Sequence, residues 1–350
     1  MKTKTNRRSF IKTAALAGIS LSFVGKADIF AGSRAEELPP LLIDSAGKSI
    51  KSLPGWEKQR TIIKKRWLDY LGALEPNPNP PVLKIMKEDH PEGLIRQLVE
   101  YESEPGIIVR GYLIKPDDIS NPLPGIVALH STSDNQMVYI AGVEKGKIVA
   151  FGTKLAKQGF VVFCPQCFLW HDKGDYSWAQ QVQRFQERHP QSKGMSKMLF
   201  DAQRAVDVLV NLKEVDSERI GTIGHSLGAK EALYLAAFDD RIKVTVSNEG
   251  GIGIDFSNWD DVWYLGKEIH DFGHQHHEVL SLVAPKPFLL IGGDMYDGEK
   301  SRPYIQAVLP VYELYGKNMI HHIELYNHGQ GHNVTPVAEK RTYEWIRKFL

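Results

Sequence analysis

The feature that most constrains this chain is the pentapeptide Gly224-His225-Ser226-Leu227-Gly228, which lies between an apolar β-type run and a helix-forming run. A serine at a sharp strand-to-helix turn has a strained backbone, and its hydroxyl projects above the sheet. Glycines on either side let the two backbones approach closely, and the N-terminal N–H groups of the helix point at whatever binds to the serine. The spacing predicts a nucleophile elbow with Ser226 as the nucleophile. A glycine-rich βα turn without chemistry is the alternative.

Segments typical of strands and helices alternate on both sides of this turn. Strands are predicted at 94–100, 107–114, 125–130, 160–164, 220–224, 244–247, 287–291 and 320–326, and helices at 56–72, 145–158, 195–212, 227–238, 302–315 and 336–350. Alternating strands and helices favour an α/β fold with a doubly wound, mostly parallel sheet, and its first two strands form an antiparallel start. The predicted organisation is a catalytic domain at 94–350, preceded at 32–93 by a linker and a helical segment.

Two aromatic-rich segments, 167–193 and 249–282, interrupt this alternation. Both follow the carboxyl ends of strands, where open α/β sheets bind their ligands. Trp170, Trp259 and Trp263 are therefore candidate walls of a substrate pocket or parts of a lid. The alternative is that these segments cover the core elsewhere.

A serine nucleophile needs a base, and in α/β-type hydrolases the chain order is serine, acid, histidine. His332 follows the last predicted strand and is the expected base, with His328 of the same loop as its competitor. The acid is expected after the preceding strand, where Asp297 precedes a glycine that allows a turn. Asp294 and Glu249 are alternative acids. The acid fixes the imidazole tautomer and stabilises the imidazolium.

An oxyanion hole needs two N–H groups that point at the same oxygen. One is expected from the backbone of Leu227, and the other from Ser131 or Thr132 in the loop after the strand at 125–130. His130 ends that strand and either shapes the hole and pocket or bonds to the neighbouring turn.

Two further clusters invite a metal or redox interpretation. His270, His274, His276 and His277 lie close together, but their spacing matches no settled zinc pattern, so we expect no metal and no cofactor. Cys164 and Cys167 lie at a strand end without a thioredoxin-like context, which leaves a local disulfide or a buried core thiol.

The N-terminus and the composition indicate where the protein acts and what it does not bind. Asn6-Arg7-Arg8-Ser9-Phe10 precedes a short apolar run, so residues 1–31 resemble a twin-arginine signal for export to the periplasm, without a stable membrane anchor. Lys+Arg 43 balances Asp+Glu 42 among 350 residues, which disfavours a nucleic-acid partner. The oligomeric state is left open.

The order of Gly224–Gly228, Gly292–Gly298 and Asn327–His332 resembles the α/β-hydrolase superfamily. The wider context, including Phe200–Asp207 and Val215–Gly221, resembles its exported dienelactone-hydrolase-like and acetyl-xylan-esterase-like serine esterases. Dienelactone hydrolases proper have a cysteine where Ser226 stands, and glucuronoyl esterases, similar in outline, have an arginine where Leu227 stands.

The resemblance implies an esterase that uses a Ser-Asp-His triad and an acyl-enzyme, on a small-molecule or carbohydrate ester. Three rival functions remain: a prolyl-oligopeptidase-like peptidase, a non-catalytic binding protein on the same fold, and a metal-dependent hydrolase. Such peptidases usually carry an N-terminal propeller, for which the residues before the first predicted strand are too few.

Overall fold

The computed structural model describes residues 38–132, 136–146 and 149–350. The predicted export segment lies outside these ranges. Residues Leu38–Leu350 form one compact unit, so residues 38–93 fold together with the predicted domain at 94–350.

A nine-stranded sheet forms the centre of this unit, with the strand order β1-β2-β3-β5-β4-β6-β7-β8-β9. The strands are β1 (Lys84–Asp89), β2 (Leu94–Glu104), β3 (Ile107–Pro116), β4 (Leu123–Leu129), β5 (Val161–Pro165), β6 (Val215–His225), β7 (Ile242–Asn248), β8 (Phe288–Gly292) and β9 (Ile323–Asn327). The pairs β1–β2, β2–β3 and β3–β5 are antiparallel. All later pairs are parallel. The predicted mostly parallel sheet with an antiparallel start is thus confirmed.

Helices cover both faces of this sheet. They are α1 (Leu53–Leu71), α2 (Gln136–Ile140), α3 (Phe151–Ala156), α4 (Trp178–Arg188), α5 (Gly194–Val210), α6 (Leu227–Phe238), α7 (His277–Ser281), α8 (Arg302–Leu314) and α9 (Pro336–Phe349). One buried core includes side chains of α1, α5, α6 and α8, and a second core includes side chains of α3 and α9. β4 and β5 are buried along almost their whole length, as expected for parallel strands covered on both faces.

Helix α1 follows directly from its sequence. Ser52 caps the N-terminus by accepting a hydrogen bond from the backbone N–H of Gly55, and Gly72 ends the helix in the left-handed conformation. Trp56, Ile63, Trp67 and Leu71 recur at helical spacing and are the buried residues of the helix. These four side chains attach the helix to the core.

Several element boundaries differ from the prediction. β1 is an exposed edge strand without the alternation that would have revealed it, and α4 lies inside the aromatic-rich segment 167–193, where no helix was predicted. The helix expected at 145–158 is the shorter α3, and β9 begins only at Ile323, because residues 317–322 form a 3-10 turn. None of the helices in the described ranges is long and apolar enough to cross a bilayer.

Candidate active site

The elbow around Ser226 has the backbone geometry that its glycines allow. Ser226 has φ 59° and ψ −118°, which costs of order 1–3 kcal/mol for a residue other than glycine. A Cβ on Gly224 would lie 2.0 Å from the carbonyl oxygen of Gly228, and one on Gly228 would lie 2.2 Å from that of Leu129. Only glycine therefore fits at both positions, and α6 packs directly against the ends of β6 and β4.

The register of the parallel strands brings the predicted site residues to one edge of the sheet. Leu129 pairs with Gly224 where β4 and β6 run side by side. Ser131 and Ser226 each lie two residues after this pair, so both are at the same edge of the sheet. His225 lies opposite Asn248, which places Glu249 beside the elbow. In the same way, β8 pairs with β7 up to Ile291 and with β9 up to Gly292. The loops that carry Asp297 and His332 therefore begin at the same edge.

Glu249 and His332 form a hydrogen-bonded pair beside the elbow. The Nδ1 atom of His332 lies 3.3 Å from Oε2 of Glu249, whose side chain is fully buried. The ring of His332 also packs on that of His225, with 4.6 Å between the ring centroids, so the histidine lies next to the residue that precedes Ser226. Nδ1 is the ring nitrogen that faces the carboxylate, and Nε2 is the one that does not.

Several N–H groups keep the carboxylate of Glu249 ionised. Burial alone would raise the pKa of Glu249, but the His332 ring and the backbone N–H groups of Tyr296 and Gly293 outweigh it and hold this pKa below its ordinary value. The N–H of Tyr296 donates over 2.9 Å, that of Asp297 over 3.3 Å, and that of Gly293 also donates. A carboxylate held in this way can orient an imidazole and balance the charge of an imidazolium.

Asp297, the preferred acid from the sequence, has other partners. Its carboxylate accepts hydrogen bonds from the backbone N–H groups of Gly251 (2.6 Å) and Ile252 (2.9 Å) and from the hydroxyl of Ser301 (2.7 Å). This geometry corrects the sequence-based choice, and Glu249 replaces Asp297 as the candidate acid. Chain order could not separate the two, because both follow the ends of neighbouring strands.

The two other competitors are also bonded elsewhere. Asp294, in a left-handed conformation, accepts a hydrogen bond from the side-chain amide of Asn327 over 2.7 Å. The Nδ1 atom of His328 accepts from the backbone N–H of Gln330 over 3.1 Å. Of the two histidines in this loop, His332 is the one placed against Glu249.

His130 binds to backbone on both sides of its ring. Its Nδ1 lies 3.0 Å from the carbonyl oxygen of Ser131, which can only accept, so Nδ1 carries the proton and Nε2 accepts from the N–H of Cys167 over 2.9 Å. Burial lowers the pKa of His130 to about 4, and the ring stays neutral at neutral pH. His130 therefore ties the loop after β4 to the loop after β5, and of its two predicted roles the geometry favours the bond to the neighbouring turn.

The candidate oxyanion loop lies next to α6. Ser131 is buried and Thr132 is exposed, while Leu227 is buried at the first position of α6. The contact of Gly228 with the carbonyls of Leu129 and His130 brings the start of this helix against the loop. An oxygen bound at Ser226 can thus face both segments.

Comparisons with known proteins show which families and relatives the chain resembles. The model of the "Dienelactone hydrolase family" matches residues 109–261, and that of the "BAAT / Acyl-CoA thioester hydrolase C terminal" family matches residues 200–334. YtaP of Bacillus subtilis (strain 168), named as a hydrolase, is 28% identical over 219 residues, which cover 59% of this chain and 70% of YtaP.

Two solved structures resemble the whole described unit. A glucuronoyl esterase from Solibacter usitatus superposes with a TM-score of 0.70 at 18% identity, covering 89% of this chain and 97% of that one. A protein from Bacteroides fragilis NCTC 9343, named as an acetyl xylan esterase, superposes with a TM-score of 0.64 at 14% identity, covering 84% of this chain and 80% of that one. The chain has the α/β-hydrolase fold. The matching family models support a hydrolase.

In this α/β-hydrolase fold, the three predicted pocket tryptophans have different environments. Trp259 is fully buried and donates from Nε1 to the carbonyl of Gly251 over 2.6 Å, so it is a core residue and the pocket assignment is corrected. Trp170 and Trp263 are partly buried and both make edge contacts with Trp178, with ring centroids 5.1 and 5.3 Å apart. These two remain candidates for the pocket wall.

The histidine and cysteine clusters of the hydrolase have structural partners. His276 is fully buried between hydrogen bonds, His277 lies 2.9 Å from the carbonyl of Pro39, and His274 pairs with Glu278. Across the residues that the structure describes, no group of three or more histidine, cysteine or acidic side chains could hold a metal ion. Cys164 and Cys167 are buried free thiols rather than a disulfide.

Sequence reasoning did not identify His225 and Tyr296 as site residues. Their rings pack on His332, with centroids 4.6 and 4.8 Å away. For His225 a signal was available, because it is the residue directly before the elbow serine. For Tyr296 there was none, since its contribution combines a backbone N–H with a ring contact that depends on the folded loop.

Proposed function

We propose that this protein is a serine esterase that works through an acyl-enzyme, with Ser226 as nucleophile, His332 as base and Glu249 as acid. The observation that carries the proposal is the pair of buried Glu249 and partly buried His332 beside a strained elbow serine. A binding protein has no need to arrange these three groups at one edge of the sheet.

In the acylation step, Oγ of Ser226 attacks the ester carbonyl while Nε2 of His332 takes the hydroxyl proton. The carbonyl oxygen becomes an oxyanion and is held by the N–H groups of Leu227 and of Ser131 or Thr132. When the tetrahedral intermediate collapses, the bond to the alcohol breaks, and His332 returns the proton to the leaving alkoxide.

Deacylation repeats the sequence with water. His332 takes a proton from water, the resulting hydroxide attacks the acyl carbonyl, and the carboxylic acid leaves as Ser226 regains its proton. Glu249 stays ionised throughout and stabilises the imidazolium in both steps.

For the substrate, we propose an ester of a carbohydrate. Support comes from the structural relatives named as glucuronoyl and acetyl xylan esterases and from the partly buried tryptophans Trp170 and Trp263, which can stack on sugar rings. Because Leu227 stands where glucuronoyl esterases have an arginine, an acylated sugar is favoured over an ester of a uronic acid. We also propose that residues 1–31 direct export to the periplasm, on the strength of the paired arginines and the apolar run.

Labelling with a fluorophosphonate probe tests the proposed chemistry, because the probe reacts with a serine that has a working base and oxyanion hole. We expect a single adduct on the Ser226 peptide by mass mapping, and its loss in His332→Ala. A His328→Ala variant serves as the control and should still be labelled.

One result would contradict the proposed chemistry, and a separate measurement tests the substrate class. Folded protein that takes up no label would favour a binding protein or metal chemistry, and a chelator would then separate these two. Hydrolysis rates on acetylated xylo-oligosaccharides and on a methyl glucuronate ester, measured side by side, decide between the two substrate classes.

A further inference from the structure

The turn that follows Glu249 is held by side chains from distant parts of the chain. The N–H groups of Gly251 and Ile252 donate to Asp297. The carbonyl of Gly251 accepts from Nε1 of Trp259 over 2.6 Å, and that of Ile252 lies 2.8 Å from Nδ1 of His276. Both N–H and both carbonyl groups of these two residues are thus bonded by a buried side chain.

Trp259 and His276 are held in place by contacts with each other and with further buried side chains. Both are fully buried, and their ring centroids are 4.2 Å apart. Nζ of Lys230 lies 4.0 Å from the ring centroid of Trp259, and the ring of Trp67 stacks on His276 at 5.2 Å. Trp259 and His276 therefore pack against each other, and the buried Lys230 amine and the Trp67 ring pack against them.

The protonation of His276 suits a donor to this turn. Nε2 lies 2.9 Å from the hydroxyl of Tyr234, and the carbonyl of Ile252 can only accept, so Nδ1 carries the proton and Nε2 accepts from Tyr234. Burial lowers the pKa of His276 to about 3, and the ring stays neutral in this tautomer at neutral pH.

Glu249 needs such support because its own backbone is strained. It has φ 51°, in the left-handed region that residues other than glycine and asparagine rarely adopt. A strained conformation persists only where its surroundings hold it, and a small displacement of a catalytic group has a large effect on rate. The carboxylate position thus depends on the turn at Gly251 and Ile252.

We propose that Trp259 and His276 are positioning residues for Glu249, acting through the carbonyls of Gly251 and Ile252. The proposal rests on the proposed function of Glu249 as the triad acid. It gives the aromatic segment 249–282 a role in aligning the catalytic carboxylate, beyond forming a pocket wall.

The decisive variant is Trp259→Phe, which keeps a ring and removes the N–H. Relative to wild type on 4-nitrophenyl acetate, kcat should fall roughly tenfold to a hundredfold with little change in KM. The acidic limb of the pH–rate profile should move to lower pH, because a misplaced carboxylate stabilises the imidazolium less. A purely structural loss would not move this limb.

Trp56→Phe is the matched control. Trp56 is also fully buried, and its Nε1 donates to the hydroxyl of Tyr315 over 3.1 Å rather than to the turn. This variant should keep the wild-type kcat and pH profile. His276→Phe retains a ring between Trp67 and Trp259 but lacks the donor, and it should reproduce the kinetics of Trp259→Phe.

Glu249→Gln separates failure of this inference from failure of the proposed function. If Glu249→Gln keeps the wild-type kcat, Glu249 is not the acid and both proposals fall. If it loses activity while Trp259→Phe and His276→Phe stay within twofold of wild type, only the positioning role falls. In the Glu249→Gln background, Trp259→Phe should cost no further activity, and additive losses would also overturn the positioning role.

Discussion

At the scale of single residues, the sequence favoured Asp297 as the acid, whereas the structure places Glu249 against His332. Two carboxylates follow neighbouring strands, and one of them lies against the imidazole while the other binds a turn. Motif order identifies strand ends, but the direction of a side chain depends on the backbone of a loop. Glu249 has a left-handed backbone conformation, which no sequence motif predicts, and its carboxylate lies against His332.

We expect Glu249→Gln and Asp297→Asn to differ in kind. Glu249→Gln should lower kcat roughly a thousandfold or more, because the tautomer and charge of the imidazole lose their partner. Asp297→Asn leaves a buried N–H of the turn at Gly251 and Ile252 without a good acceptor, so it should lower stability by about 1–3 kcal/mol and lower kcat less than Glu249→Gln does. Steady-state kinetics together with urea unfolding of both variants check this. A greater kcat loss in Asp297→Asn would restore Asp297 as the acid.

At the scale of secondary structure elements, the close contact of α6 with β4 and β6 sets the active-site geometry. The spacing of Gly224 and Gly228 predicted the elbow. The close approach of backbone carbonyls to both positions explains why they must be glycine. Elements with weak patterns were missed: β1 is exposed on both faces, and α4 lies in a segment dominated by polar and aromatic residues.

Gly228→Ala tests the contact between α6 and β4. Its Cβ would lie 2.2 Å from the carbonyl oxygen of Leu129, so the helix must shift and carry the N–H of Leu227 away from the oxyanion. We expect kcat on 4-nitrophenyl acetate to fall roughly a hundredfold or more. Gly55→Ala, in the first turn of α1, meets its nearest atom at 3.1 Å in a side chain and should keep the wild-type kcat. Equal activity of both variants would show that the close contact is unimportant.

At the scale of the whole molecule, the protein buries ionisable groups whose protonation couples to folding. Burial raises the pKa of Glu231 to about 8, and burial lowers the pKa of His276 to about 3. The two shifts have opposite consequences for stability. The Glu231 contribution is present below its unfolded value near 4.5 and is lost as the pH rises toward 8, whereas that of His276 is lost as the pH falls below about 6.5.

Glu231→Gln should therefore become more stable relative to wild type as the pH rises from 5 to 8, by about 1 kcal/mol per pH unit. His276→Phe should show the opposite trend and gain relative to wild type as the pH falls from 6.5 to 4. Denaturant unfolding of the three proteins across this range measures both slopes. Parallel curves for all three would mean that neither group titrates differently on folding.

The sequence by itself determined the fold class, the elbow serine and the histidine loop, because alternating apolar runs and glycine spacing are local properties. It could not choose between Glu249 and Asp297, nor separate buried Trp259 from the partly buried Trp170 and Trp263. Only the tertiary structure shows which carboxylate lies against His332 and which tryptophan is buried, since hydrogen-bond partners and burial depend on which distant segments meet at the edge of the sheet.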